Sequence, residues 1–157
     1  MDFMKRGQPM CIVIRSIKPE DYEDIYILNS QLGYSYDIEK LRNRIDYVLI
    51  NTKDVIYVAE HDGRAVGYVH GSPYETLYYD SLINIMGLVV KQGKRRLGIG
   101  EMLMNAMEAY AKANGYKGIR LVSGIERSDA HKFYENIGYL DRKTQKNFIK
   151  LFEDDKH

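Results

Sequence analysis

Lys94-Arg95-Arg96-Leu97-Gly98-Ile99-Gly100 joins two segments of different periodicity. Before it, Ser81 to Val90 is an apolar run that reads as a strand. After it, Ile99, Met102, Leu103, Ala106, Met107 and Tyr110 share one face of a helix that stops at Asn114-Gly115. Glycines let a backbone turn and come close to a ligand, and the first amides of a helix have no intrahelical acceptor. Strand, glycine turn and helix start together favour an anion. Lys91, Lys94, Arg95 and Arg96 add positive charge beside it, so phosphates are the expected guests. Two phosphate loops can be tested directly. Gly93 and Gly98 have the spacing of a Walker A pair, but Ile99-Gly100 stands where Lys-Ser/Thr is required. Gly98-Ile99-Gly100-Glu101-Met102-Leu103 lacks the third glycine of a dinucleotide fingerprint. The competing reading is a tight turn that merely starts a helix, with the cations as a solvated face.

Outward from this unit, Met10 to Ile17 is rich in β-branched residues and reads as a first strand. Lys18-Pro19-Glu20-Asp21 supplies a proline and acids for a first helical turn, and a helix is expected from about Glu20 to Gln31, with Gly33 as its stop. A second amphipathic helix is expected over Ile38 to Leu49. Val55 to Glu60 and Ala65 to His70 flank His61-Asp62-Gly63-Arg64, and Asp-Gly tolerates positive φ, so the two runs read as a hairpin. Gly118 to Val122 reads as a further strand and Ser128 to Asn136 as a short helix closed by Gly138. Closing strands are expected around Tyr139 to Asp141 and Gln145 to Phe152. The order is β, two helices, three strands, helix, strand, helix, two strands. It predicts an α/β (α+β) fold with a single mixed, mostly antiparallel central sheet and helices on both faces.

The chain has 157 residues, the length of one domain, and 45% hydrophobic residues suffice for one core. The organisation expected is a flexible tail over residues 1–9 and one domain over 10–157, with Met10 a possible natural start. No apolar stretch is long enough for a signal peptide or a transmembrane helix, so no membrane association is expected. A net charge of +1 excludes the overall basic field of a dedicated nucleic-acid binder, and any charge-based function must be local. The single cysteine, Cys11, cannot form an internal disulfide or a cysteine-based metal cluster; it reads as a small buried hydrophobe in a protein of the reducing cytoplasm. His61, His70, His131 and His157 show no metal-ligand spacing, so no metal is expected. The acidic end, Glu153-Asp154-Asp155, reads as a solubilising tail.

Arg95, Gly98 and Gly100 fit Arg-x-x-Gly-x-Gly. Downstream, Ala130, Tyr134, Gly138 and Tyr139 in Arg127-Ser128-Asp129-Ala130-His131-Lys132-Phe133-Tyr134-Glu135-Asn136-Ile137-Gly138-Tyr139 fit Ala-x-x-x-Tyr-x-x-x-Gly-aromatic. The pair resembles the two signatures of the GCN5-related N-acetyltransferase (GNAT) family, and element order agrees from about Ile12 to Phe152. The resemblance implies a GNAT-like acyl-CoA N-acyltransferase fold and transfer of acetyl from acetyl-CoA to a primary amine, by direct attack in a ternary complex and without a metal. It implies that the cofactor is held by Leu88, Val89 and Val90, by Arg95, Arg96, Leu97, Gly98, Ile99 and Gly100, and by Arg127 and Tyr134. The strand would pair with pantetheine as if with an added strand, and the loop amides would hold the pyrophosphate. Arg127 stands where many members carry asparagine, which leaves its cofactor contact open.

Tyr134 matches the tyrosine expected near the CoA sulfur. A phenol of pKa about 10 can protonate a departing thiolate of pKa about 8.5, so a general acid is the implied role, against that of a core aromatic. An alkyl ammonium of pKa about 10 must lose a proton before attack. The position where some members place a glutamate is Asn84, which cannot act as a base; Glu75, Asp80 and His70 are the neighbouring candidates, acting through water. The acceptor, a small-molecule or protein amine, should enter between the Gln31 to Asp37 loop, the Tyr74 to Asp80 segment and the loop joining the last two strands. The first two carry Tyr34, Tyr36, Tyr74, Tyr78 and Tyr79, suited to a cationic or amphipathic acceptor. The absence of a glutamate at Asn84 keeps a second reading open, a non-catalytic acyl-CoA-binding or regulatory module. A nucleic-acid binder using the basic loop is the third and weakest. Two copies are expected to pair, by family analogy, through the last strands.

Overall fold

Hydrophobic alternation along Val55–His61 and Arg64–Tyr74, joined by a turn in which Asp62 (φ 50°) and Gly63 (φ 75°) both take the left-handed region, builds the hairpin at the centre of the sheet. The computed structural model describes residues 11–95 and 97–153. The expected tail over 1–9, Met10, Arg96 and most of the acidic end lie outside the described residues. Five strands, β1 (Val13–Ser16), β2 (Val55–His61), β3 (Arg64–Tyr74), β4 (Leu82–Val90) and β5 (Ile119–Arg120), lie side by side in that order. The first three pairings are antiparallel and β4 with β5 is parallel. The helices are α1 (Tyr22–Gln31), α2 (Ile38–Asn51), α3 (Ile99–Ala113) and α4 (Ser128–Asn136). Contacts divide the chain into a unit ending at Leu121, which holds the sheet with α1 to α3, and a second unit from Val122, which holds α4.

Alternation along the strands sends side chains to two different cores. On one face Ile56, Val58 and Val89 pack with Ile25 and Leu28 of α1 and Leu41, Ile45 and Val48 of α2. On the other, Gly67 and Gly71 make room for α3. A Cβ at Gly67 would stand 2.9 Å from the Val89 carbonyl and 3.3 Å from Leu103, and one at Gly71 would stand 2.7 Å from the Met107 sulfur. Leu103, Met104 and Met107 are fully buried as a result. Asp21, the buried charged residue of the first unit, sits where the chain turns from β1 into α1. It accepts two hydrogen bonds from the Arg15 guanidinium, at 2.8 and 2.9 Å, and one from the Lys18 N–H at 2.8 Å. Burial alone would raise the Asp21 carboxyl; the Arg15 and Lys18 hydrogen bonds outweigh it and hold the group below the ordinary carboxylate range.

The two closing strands are absent. Residues 139–151 are neither helix nor strand, and every residue from 140 to 153 is exposed. Alternating apolar residues make a strand only where one face is buried against a partner, and here Leu140, Phe148 and Ile149 bury nothing. The expected pairing of two copies through those strands therefore has no strands to act through among the described residues.

Candidate active site

The strand that leads into the basic loop has a paired half and an open half. β5 meets β4 only at Ile83 and Asn84, with the Ile83 N–H donating to the Gly118 carbonyl at 3.0 Å. Beyond Asn84, β4 has no second strand among the described residues of the first unit. At that point Met86 is an extra residue, because Gly87 pairs with His70 and Ile85 with Gly71. Such a bulge re-aims the strand that follows it. Val90 lies opposite Gly67, and across them the Lys91 N–H donates to the Val66 carbonyl at 2.8 Å. In an antiparallel ladder this identifies Val90, and by alternation Leu88, as residues whose N–H and C=O turn away from β3 toward the open edge. Val89 turns its peptide groups to β3 and its buried side chain to the α1 and α2 core.

The loop continues this edge into α3. The Gln92 N–H donates to the Gln31 side chain at 2.8 Å, fastening the loop's start to the end of α1, and Lys94 N–H closes a turn onto Lys91 O at 2.9 Å. Arg95 is exposed, with its Nε 3.4 Å from the Val90 carbonyl. Gly98 caps α3 at φ 78°, a conformation that costs an L side chain. The first helical bond runs from Met102 N–H to Gly98 O, so the amides of Ile99, Gly100 and Glu101 have no intrahelical acceptor. The Ile99 side chain is buried and Leu97 is half exposed, so at these positions the peptide groups, not the side chains, are what the chain leaves available to a ligand.

On the α1 and α2 face, three polar groups meet beside the bulge. His70 Nε2 lies 2.7 Å from Asp54 Oδ2, and the Ser72 hydroxyl donates to Asp54 Oδ1 at 2.7 Å. Asn84 pairs with Ser72 across the sheet and with Arg120 on β5; its Oδ1 accepts from the Arg120 guanidinium at 2.6 Å, and that guanidinium lies 4.3 Å from the Tyr74 ring centre. Neither Asp54 nor Arg120 stood out in the sequence: each reaches its partner only through strand register, so no local pattern marks it. Glu75 and Asp80 lie in the connection between β3 and β4, where the Ser81 hydroxyl donates to Glu75 at 2.9 Å. That end of the hairpin is six residues, roughly 20 Å along the strand, from Leu88. Tyr34, Tyr36, Tyr78 and Tyr79 are exposed.

Within the second unit, Arg127 stands at the N-cap of α4 and Tyr134 in its last turn. Its ring meets Phe133 and Tyr139 edge-on, with centres 5.2 and 6.1 Å away. Burial pushes the Tyr134 phenol above 10, while the Arg127 charge pulls the other way. Arg127 itself is exposed, and His131 Nε2 lies 2.9 Å from the Gly124 carbonyl. Cys11 is exposed, not buried as its apolar surroundings suggested. It precedes β1 and is not among the buried residues of the core. Among the described residues no group of histidine, cysteine and carboxylate side chains is placed to hold a metal ion, and no helix is long and apolar enough to cross a membrane.

Comparison with known proteins bears on this geometry. The profile of the "Acetyltransferase (GNAT) family" matches residues 20–139. An uncharacterized N-acetyltransferase, YhdJ of Bacillus subtilis, is 27% identical over 76% of this chain and 85% of its own. The aminoalkylphosphonate N-acetyltransferase of Salmonella typhimurium is 28% identical over 88% of this chain and 93% of its own. Among solved structures, aminoglycoside N-acetyltransferase AAC(6')-Iy in complex with CoA superimposes with a TM-score of 0.81 over 92% of this chain and 97% of its own, at 17% identity. Glucosamine-6-phosphate N-acetyltransferase of Arabidopsis thaliana gives 0.75 over 91% and 99%, at 20% identity. At such identities the structural matches establish the fold.

Proposed function

The chain belongs to the acetyltransferase (GNAT) family, acetyl-CoA-dependent acyltransferases, and from that premise we propose that it moves acetyl from acetyl-CoA to a primary amine by direct attack in a ternary complex. The observation that carries this reading is the continuity of the open β4 edge with the glycine-led start of α3. Pantetheine pairs with the outward peptide groups of Leu88 and Val90, and the pyrophosphate takes the free amides of Ile99, Gly100 and Glu101, with Arg95 beside them. The Leu88 N–H, turned to the same edge, receives the oxyanion that forms when the amine attacks the thioester. Tyr134 gives its proton to the departing thiolate and regains one from the acylated nitrogen; a phenol held above 10 stays protonated at neutral pH and is available for that step. The acceptor approaches from the α1 and α2 face, past the exposed tyrosines. One catalytic domain over residues 10–157, working in the cytoplasm, accommodates a family match that runs through both units.

The direct test is calorimetry with acetyl-CoA together with thiol release across a panel of amines: spermidine, kanamycin A, glucosamine 6-phosphate, 2-aminoethylphosphonate and a lysine peptide. Binding and turnover on at least one amine are expected. Binding with no turnover on any of them would favour a non-catalytic acyl-CoA-binding module. The double variant Arg95→Glu, Gly98→Trp should weaken acetyl-CoA binding at least a hundredfold; unchanged affinity would remove the loop from the cofactor site.

A further inference from the structure

The pair Asp54 and His70 has the form of an oriented base. We propose that His70 is the catalytic base that takes the proton from the acceptor ammonium, and that Asp54 is the positioning residue that fixes its tautomer. This rests on the acetyltransferase reading above and supplies the proton acceptor that Asn84 cannot provide.

Three observations converge on it. First, a carboxylate only accepts hydrogen bonds, so with Nε2 at 2.7 Å from Asp54 Oδ2 the neutral ring carries its hydrogen on Nε2 and keeps a lone pair on Nδ1. Nδ1 has no hydrogen-bond partner among the described residues. Second, the carboxylate is itself held: Ser72 donates to its other oxygen at 2.7 Å, and the Asp54 and His70 side chains are 13% and 22% exposed, half-sheltered but reachable. Third, the place is right. His70 pairs with Gly87, directly after the bulge at Met86 and next to Leu88, where the open edge begins. Gly87 leaves the sheet surface bare at that point, since a Cβ there would meet only the Tyr68 side chain, its ring at 3.7 Å and its hydroxyl oxygen at 3.8 Å. Tyr68 is fixed by its hydroxyl bond to Asn29, so the gap is bounded by Tyr68 on one side and His70 on the other.

The proton inventory closes. The acceptor R–NH3+ gives one proton to His70 Nδ1, directly or through one water, and the resulting amine attacks the thioester carbon. As the C–N bond forms and the C–S bond breaks, the second nitrogen proton replaces the one Tyr134 gives to the thiolate, and His70 returns its proton to solvent. The sum is an amide, CoA thiol and one released proton. Around the ring, Asp54 comes from the approach to β2 and neutral Ser72 from β3 itself. β4 contributes the uncharged Asn84, Met86 and Gly87, and Arg120 of β5 is engaged by Asn84.

The test has an arm that needs no substrate. In protein labelled with 15N-histidine, with His70 assigned by comparison with His70→Gln, NMR at pH 8 should show Nε2 protonated and Nδ1 bare. A doubly protonated ring, or the Nδ1–H tautomer, overturns the proposal whatever the activity. With the fastest amine of the panel, His70→Gln should lower kcat about a hundredfold, within the range for loss of a general base, and leave the acetyl-CoA Kd unchanged. Its residual activity should rise with pH as the amine loses its own proton. Asp54→Asn should cost about tenfold in kcat and release the ring from the single Nε2–H tautomer, read in the same 15N spectrum. Activity of His70→Gln within threefold of the parent, with the same profile, would also overturn the proposal. Absence of both acetyl-CoA binding and thiol release in the parent protein would instead overturn the acetyltransferase reading, with the NMR arm still deciding the state of the pair.

Discussion

Leu82 to Asn84 and Leu88 to Val90 belong to one strand, share one antiparallel neighbour and differ in what lies on the other side. The first stretch is closed by β5, and Ile83 there is fully buried. The second has β3 alone among the described residues of its unit and ends in a loop of cations and glycines. Between them stands one unpaired residue, Met86. Identical backbone chemistry thus serves packing in one half and leaves donors and acceptors for a ligand in the other.

Proline scanning breaks this comparison most sharply. Val89→Pro removes an N–H that faces β3 and replaces a buried side chain, so it should cost more than about 3 kcal/mol and unfold much of the protein at room temperature, read by urea denaturation. Leu88→Pro, one residue away, removes an N–H that faces the open edge and breaks no bond of the β3 ladder. Its stability should fall by about 1 kcal/mol, while kcat falls about a hundredfold for want of the oxyanion donor. Equal destabilisation by the two prolines would show that the open half is not open.

Tyr134 gives a smaller effect of a different kind. Tyr134→Phe keeps the edge-on ring contacts with Phe133 and Tyr139 and deletes only the hydroxyl, so kcat should drop about 30-fold with an unchanged acetyl-CoA Kd. Because burial raises this phenol above its ordinary value, its ionisation should produce no basic limb at pH 8 to 9; one there that vanishes in Tyr134→Phe would contradict the raised value.

The parts of this arrangement that were legible in the sequence are those set by neighbours in the chain. Asp62-Gly63 required positive φ and turns the hairpin there; Ser128 to Asn136 followed by Gly138, at φ 100°, gave the limits of α4; Gly98 followed by an apolar stripe located the start of α3. What depended on register was not legible. The extra residue at Met86, the meeting of Asp54 with His70 and the contact of Arg120 with Asn84 each join strands through pairings that no local spacing encodes. The same limit explains the closing segment. Gln145 to Phe152 has strand-like composition, but composition does not supply a ladder partner, and the segment stays exposed.

The closed half can be loosened without touching the open one, and this is the smallest effect expected. Arg120 carries a 2.6 Å hydrogen bond to Asn84 and lies over the Tyr74 ring, joining β5, β4 and β3 at the level where β4 and β5 pair, Ile83 with Ile119 and Asn84 with Arg120. Arg120→Met keeps the length and apolar stem of the side chain and deletes the bond and the cation, which should cost about 1 kcal/mol on thermal or urea unfolding. Acetyl-CoA affinity should stay within twofold, because Leu88, Val90 and the start of α3 owe none of their outward groups to β5. A tenfold loss of affinity would mean that closing the strand at Ile83 and Asn84 is what holds the other half apart. The two halves would then act as one lever about Met86, not as independent parts of the strand.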